Sequence, residues 1–192
     1  MAWTNGRGST TELLVVPKNG KLNNGSADWR VSMAEVPESG QFSLLPGYDR
    51  IIGMVKGDGF HLCGDMGTDI SITNDVIHSF SGEENIQCDL IGGPCVDLNL
   101  IYKKNKYIGS INLVGNIDPI YASITTQSSS ETIMIICLGG QVMAKAWGKT
   151  IAHLDPFDSV LFSSINEQAG LFLHLKKNSR VAVIGVEEII IN

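Results

Sequence analysis

The sequence has no two histidines one residue apart, no CxxC, no GxSxG and no long apolar run. Each gap removes a class of function. The four histidines, His61, His78, His153 and His174, are scattered along the chain. Metal ligands on strands need close spacing, so no metal centre is expected. The four cysteines, Cys63, Cys88, Cys95 and Cys137, show no metal or redox spacing. They read as reduced thiols in or near the core. Without GxSxG, no nucleophile elbow is present. The longest apolar stretches, such as Ile133 to Leu138, fall far below the ~18 residues of a spanning helix. Basic residues are few, 14 against 20 acidic, for a net charge of −6. That balance argues against nucleic-acid and membrane-surface binding. Lys103, Lys104 and Lys106 form the densest basic run, which reads as a solvated strand end. Met1 to Thr10 is polar and glycine-rich, unlike a secretory signal, so a cytoplasmic protein is expected.

Helical periodicity is also almost absent. What remains is 192 residues that are 43% apolar, with 21 glycines. Short β-branched runs recur between Gly, Asn, Asp and Ser clusters, which is the pattern of many strands joined by turns. Strands are expected at Thr11–Val16, Asp28–Val36, Asp49–Val55, Phe60–Leu62, Ile86–Ile91, Val96–Tyr102 and Ile111–Val114. Further strands are expected at Ile120–Thr125, Thr132–Leu138, Gln141–Ala146, Ser159–Ser163, Leu171–Leu175 and Arg180–Ile190. Arg30 and Ser32 alternate with Trp29, Val31 and Met33. Asp97 and Asn99 alternate with Val96, Leu98 and Leu100. There is a weak internal echo. Ile51–Val55 runs into Gly57-Asp58-Gly59, and Ile133–Leu138 runs into Gly139-Gly140. Two copies of one strand-turn-strand unit point to a duplicated barrel, with a boundary near Lys104–Lys106.

Several segments resemble the HutD/Ves family in order and spacing. Trp3-Thr4-Asn5-Gly6-Arg7-Gly8-Ser9-Thr10-Thr11-Glu12 is similar to that family's opening Trp-Lys-Asn-Gly motif. Trp29–Val36 follows, then Ser39-Gly40, Phe42-Ser43 and Pro46-Gly47-Tyr48-Asp49-Arg50. Phe80-Ser81-Gly82-Glu83, Gly93-Pro94 and Asp97–Leu100 complete the series. The likeness is strong over residues 3–103 and follows only in outline beyond. It implies an all-β protein of two cupin-like barrels, a bicupin or jelly-roll fold. The barrels would occupy residues 1–105 and 106–192, with strands exchanged between them. It further implies a ligand pocket in the first barrel and a role in histidine utilisation or stress. Two departures stand out, Thr4 for the family's lysine and Arg7 for its central glycine, and each leaves room for a different ligand.

Arg30 and Arg50 sit beside apolar strand residues. A guanidinium near a barrel interior suits a carboxylate, because it stays charged and offers a planar fork of donors. The competing reading is an internal pair of Arg30 or Arg50 with Asp97. Ser32, Asp97 and Asn99 would orient the rest of a guest, or else face outward on half-solvated strands. Asn5, with Gly6, lies in a loop whose amides would approach a ligand, or is a plain turn. The expectation is therefore a non-enzymatic protein binding a small carboxylate, such as a histidine-degradation metabolite, with no cofactor. The alternatives are a metal-free isomerase or hydrolase in the same pocket, or an interaction protein that forms a homodimer through strand Arg180–Ile190.

Overall fold

The computed structural model describes residues 8–115, 120–124, 132–146, 148–163 and 171–190. Apart from one 3-10 turn at Leu22–Asn24, the regular structure among them is all strand. The chain divides into two compact units, Met1–Lys106 and Tyr107–Asn192.

In the first unit the strands are β1 (Ser9–Val16), β2 (Trp29–Val36), β3 (Gly40–Gln41), β4 (Tyr48–Lys56), β5 (Phe60–Gly64), β6 (Asp69–Ile72), β7 (Ile77–Ser81), β8 (Ile86–Leu90) and β9 (Cys95–Lys103). They form two antiparallel sheets, ordered β1-β2-β9-β4-β7 and β3-β8-β5-β6. Side chains from both sheets close over one core. Val36, Ile52, Met54, Phe80 and Cys95 come from the first sheet, and Phe60, Leu62, Ile72, Ile86 and Cys88 from the second. Burying each of the larger apolar side chains contributes about 1.5–3 kcal/mol. The turn joining β4 to β5 depends on glycine. Gly57 and Gly59 have φ of 113° and 120°, and a Cβ on Gly57 would lie 2.7 Å from the Cys95 Cβ. That conformation is open to glycine and strained for other residues.

The second unit contains β10 (Tyr107–Gly115), β11 (Ile120–Ile124), β12 (Thr132–Gly139), β13 (Val142–Ala146), β14 (Lys149–Leu154), β15 (Ser159–Ser163), β16 (Leu171–Leu175) and β17 (Arg180–Glu188). Its sheets are ordered β10-β17-β12-β15 and β11-β16-β13-β14. Adding eight to each strand number of the first unit reproduces both orders, with only β1 left over. The duplication reaches into the turns. Gly140, which follows β12, has φ of 75°, and a Cβ there would meet Ser179 just before β17. Gly57 meets Cys95 at the start of β9 in the same way. The hydrophobic core of the second unit is built on Ile133, Ile135, Cys137, Val142, Leu173, Leu175, Val181 and Val183.

Four expectations change. First, β3, β6, β7 and β14 were not legible as strands, and all four are sheet edges. Edge strands carry polar residues on their solvated side, which blurs the apolar signal. Second, β17 ends at Glu188 and lies between β10 and β12, so it is an interior strand with both edges paired. The argument for dimerisation through that strand falls with it. Third, the basic run is ion-paired. Lys103 and Lys106 Nζ each lie 2.8 Å from an Asp28 carboxylate oxygen, and Lys104 lies 3.3 Å from Glu83. Fourth, Cys63 is exposed, whereas Cys88, Cys95 and Cys137 are buried. Among the described residues every sheet draws its strands from one unit, so no exchanged strand is seen.

Candidate functional site

Strand register lays the polar residues of the first barrel out in rows. Antiparallel partners face one another with side chains on the same side of the sheet. Arg30 on β2 pairs with Ile101 on β9, which pairs with Arg50 on β4, which pairs with Phe80 on β7. The next row runs Glu12, Ser32, Asn99, Ile52, His78. The third holds Ala34, Asp97 and Met54. Ile52, Met54 and Phe80 belong to the core between the sheets, so this face is the lumen. Arg30, Ser32, Arg50, Asp97 and Asn99 therefore share the core-facing side of one sheet. Ser32, Arg50, Asp97 and Asn99 are buried, at 1%, 7%, 2% and 5% exposure. That removes the outward-facing reading of Asp97 and Asn99. Arg30 is half-buried. Asn5 lies outside the described residues.

Arg50 is held in an aromatic clamp. Its guanidinium carbon is 4.9 Å from the centre of the Phe42 ring and 5.0 Å from that of Phe80. Such contacts contribute about 0.5–2 kcal/mol each. Two aromatic rings thus pack against the cation, and its remaining N–H donors are what is left for further recognition. One in-plane donor, NH2, reaches Asn99 Oδ1 at 3.0 Å. Asn99 Nδ2 then donates to Asp97 Oδ1 at 2.8 Å. Asn99 is thus a relay, and Asp97 makes no ion pair with either arginine among the described residues. The Nε atoms of Arg30 and Arg50 are buried with no hydrogen-bond partner among them.

The electrostatics follow from burial. Arg50 is pulled down to about 10 by desolvation, which Asp97 opposes and Arg30 reinforces. Arg30 is also lowered by burial, against the attraction of Glu12 and Asp97. Asp97 is pushed up to about 6 by burial, although Asn99, Arg50, the Ala34 backbone and Arg30 all favour its charged form. Two guanidinium groups therefore face one buried carboxylate.

The second barrel supplies an internal comparison. Matching the bulges that end β4 and β12 aligns Met54 with Cys137, and hence Arg50 with Ile133. The same registers align Asp97 with Val181 and Asn99 with Val183. Arg50 pairs with Phe80 in one copy, and Ile133 with Phe162 in the other. Ile133, Val181 and Val183 all lie in the apolar core of their barrel. The architecture therefore closes without charge, and the polar trio is a property of the first barrel alone. A buried polar network that folding does not need points to function.

Sequence reasoning missed Phe42 and Phe80 as site residues. Both stand in the motifs that carry the family resemblance, but β7 was not anticipated and Phe42 directly follows the two-residue β3. Glu84 was missed as well. It is buried and accepts from Thr68 N at 2.9 Å, Thr68 Oγ1 at 2.8 Å and Met66 N at 3.1 Å. Thr68 Oγ1 in turn lies 3.4 Å from His78 Nε2. His61, on β5, is tied to Ser71 and Asp69. Among the described residues no group of three His, Cys, Asp or Glu is placed to hold a metal, and no helix is long and apolar enough to cross a membrane.

Comparisons with known proteins agree with this plan. The HutD family profile matches residues 1–183. A 21.2 kDa protein encoded in the hutC 3' region of Pseudomonas putida is 31% identical over 171 residues, covering 89% of this chain and 85% of its own. Protein Ves of Escherichia fergusonii is 24% identical, with 85% and 87% covered. A conserved protein of unknown function from Pseudomonas aeruginosa PAO1 superposes with a TM-score of 0.85 at 26% identity, over 97% of this chain and 93% of that one. HutD from Pseudomonas fluorescens SBW25, in its formate condition, gives 0.76 at 26% identity, over 99% and 94%. A cupin 2 conserved barrel domain protein from Leptotrichia buccalis shares the fold alone, at 0.50 and 9% identity over 98% and 92%. By the extent of the profile match and the likeness to the Pseudomonas putida protein, this chain belongs to the HutD family, on a cupin-like double-barrel fold.

Proposed function

We propose that the first barrel is a non-catalytic binding site for a small carboxylate, with a regulatory or stress-related role. The observation that carries the reading is the clamped Arg50. It is a buried cation packed against two phenylalanine rings, with one bond to Asn99 and a partnerless Nε, in a barrel whose sister copy has an apolar residue at the matching station. A planar carboxylate meets the edge of such a fork in its own plane. Each charge-assisted hydrogen bond contributes about 1.5–3 kcal/mol net. Arg30 adds a second cation on the same row. Ser32, Asn99 and Asp97 supply hydroxyl, amide and carboxylate groups that sort guests by their other substituents, and Asn5 is a further candidate contact. A solved HutD is described for its formate condition, and formate is the smallest carboxylate. Acids of histidine degradation, such as N-formylglutamate and urocanate, are the first guests to try.

The test is a thermal-shift screen of amino acids, their breakdown products and simple carboxylates. A guest at 100 times its dissociation constant stabilises the fold by about 2.7 kcal/mol. Arg50→Ala is expected to weaken the best guest at least tenfold, about 1.4 kcal/mol. Unchanged affinity in a folded Arg50→Ala protein would refute the assignment.

A further inference from the structure

We propose that the guest acid enters the lumen together with one proton from solvent, and that Asp97 holds that proton in the complex. This rests on the carboxylate-binding reading and names how the same site is regulated.

The geometry carries the argument. Asp97 is buried and lies one amide away from Arg50, with 3.0 Å from Arg50 to Asn99 and 2.8 Å from Asn99 to Asp97. No direct cation neutralises it, so its charge depends on the field of guanidinium groups that are also the anchors for a guest. An anion on the edge of Arg50 cancels that field and adds a like charge to the same dry wall. Each carboxylate disfavours the charged form of the other, and with Arg50 engaged by the guest only the half-buried Arg30 is left to favour the charged form of Asp97. The balance moves toward a proton on one of the two. The guest is held by the guanidinium, whereas Asp97 has only an amide and a backbone group, so Asp97 is the one that yields.

The surroundings leave few other groups to titrate. On β9 itself the neighbours are Cys95 and Asn99. On β2 they are Arg30, Ser32 and Ala34, with Glu12 beyond them on β1. On β4 they are Arg50 and Met54, and across the core on β8 stands Cys88, with Asp89 next to it. Burial pushes the Cys88 and Cys95 thiols up to about 12 and about 11, so both stay neutral. His78, bonded to Thr68 and stacked on Phe80, is the one lumen-facing imidazole in these rows.

Asp97 stands at about 6 without a guest. Below that value it already carries its proton, and binding draws none. Above it, uptake should approach one proton per guest. Affinity should then fall about tenfold per pH unit, because each bound guest needs one more proton.

The experiment is isothermal titration of the intact protein with formate and with N-formylglutamate, from about pH 6 to 8, where neither acid titrates. It is repeated in buffers of different ionisation heat, which reads the protons taken up. The expected result is close to one proton at the upper end and about half a proton at the lower, where Asp97 is already half protonated. His78→Gln should keep the uptake, and Asp97→Asn should bind with none and with affinity independent of pH. A guest that binds without proton uptake would overturn the inference and leave the binding reading standing. Uptake that vanishes in His78→Gln would overturn it by assigning the proton elsewhere. If neither acid binds the folded protein, the binding reading fails and this inference with it. A carbon-13 carboxyl titration of Asp97 with and without formate needs no variant, and an unchanged midpoint would equally overturn the proposal.

Discussion

Writing the second barrel's residues into the first tests what the buried charges are for. The triple substitution Arg50→Ile, Asp97→Val and Asn99→Val installs the side chains that stand at register-matched positions, Ile133, Val181 and Val183. Exchanging a buried charged network for apolar residues of similar volume usually leaves a protein unchanged or stabilises it by about 1–4 kcal/mol. Isoleucine is close to arginine in size, while valine exceeds aspartate and asparagine by a little. Overpacking costs about 1–3 kcal/mol in unfavourable cases, so the expected net change is a gain of about 0–3 kcal/mol. For a chain of this length that is a rise of roughly 2–4 °C per kcal/mol. The single substitution Arg50→Ile should go the other way, by about 1–3 kcal/mol, because it leaves Asn99 Oδ1 without its donor in a buried site. Urea titrations of the wild type, single and triple variants give the order directly. The guest-induced thermal shift should vanish in both variants. A triple variant destabilised by more than about 2 kcal/mol would refute the reasoning. The charges would then be holding the barrel closed, and the comparison between copies would not transfer.

Three further predictions come from separate features. Asp97 binds protons more tightly folded, at about 6, than its ordinary 3.8. Its contribution therefore favours the folded state fully below about pH 4 and is lost as pH rises through 6, on the order of 3 kcal/mol. The stability of Asp97→Asn relative to wild type should accordingly grow by about that amount from pH 4 to 7, and a pH-independent difference in urea titrations would contradict the assignment. Asp28 is pushed up by burial, but its hydrogen bonds from Lys103 and Lys106 outweigh this and leave it below the usual value. Asp28→Asn should cost about 1 kcal/mol at low salt and less at 1 M, since the lysines are partly exposed. Phe42→Leu should weaken guest binding by roughly two- to fivefold with the melting point little changed, because it opens one side of the clamp on Arg50. Calorimetric titration with formate would show equal affinity if the ring does not orient the cation.

The strands that proved easiest to read are those buried in sheet interiors. β12 and β17 carry β-branched runs, and β2, β4 and β9 are long and rich in apolar residues, because neighbouring strands flank all five on both sides. The two-residue β3 and the polar β7 gave no comparable pattern. The same contrast governs the site. Arg30, Ser32, Asp97 and Asn99 could be grouped by alternation alone, since a strand sends every second side chain to one face. Which face is the lumen could not be read that way, because Val31, Leu98 and Leu100 on the opposite face are buried too. The clamp was beyond reach for another reason. Phe42 and Phe80 are distant from Arg50 in sequence, and pairing of β4 with β7 and closure of the core bring them together. The Asn99 relay likewise replaces the direct arginine–aspartate pair that composition alone invited.

The constant offset of eight between the strand orders of the two halves has a consequence for how this architecture diversifies. One scaffold tolerates either an oily filling or an ionic one at the same three stations, within a single molecule. Gaining or losing a buried ionic cluster is then a matter of a few substitutions at fixed register, with no rearrangement of backbone. Homologous barrels can accordingly be sorted into ionic and apolar types by inspecting the stations held here by Arg50, Asp97 and Asn99.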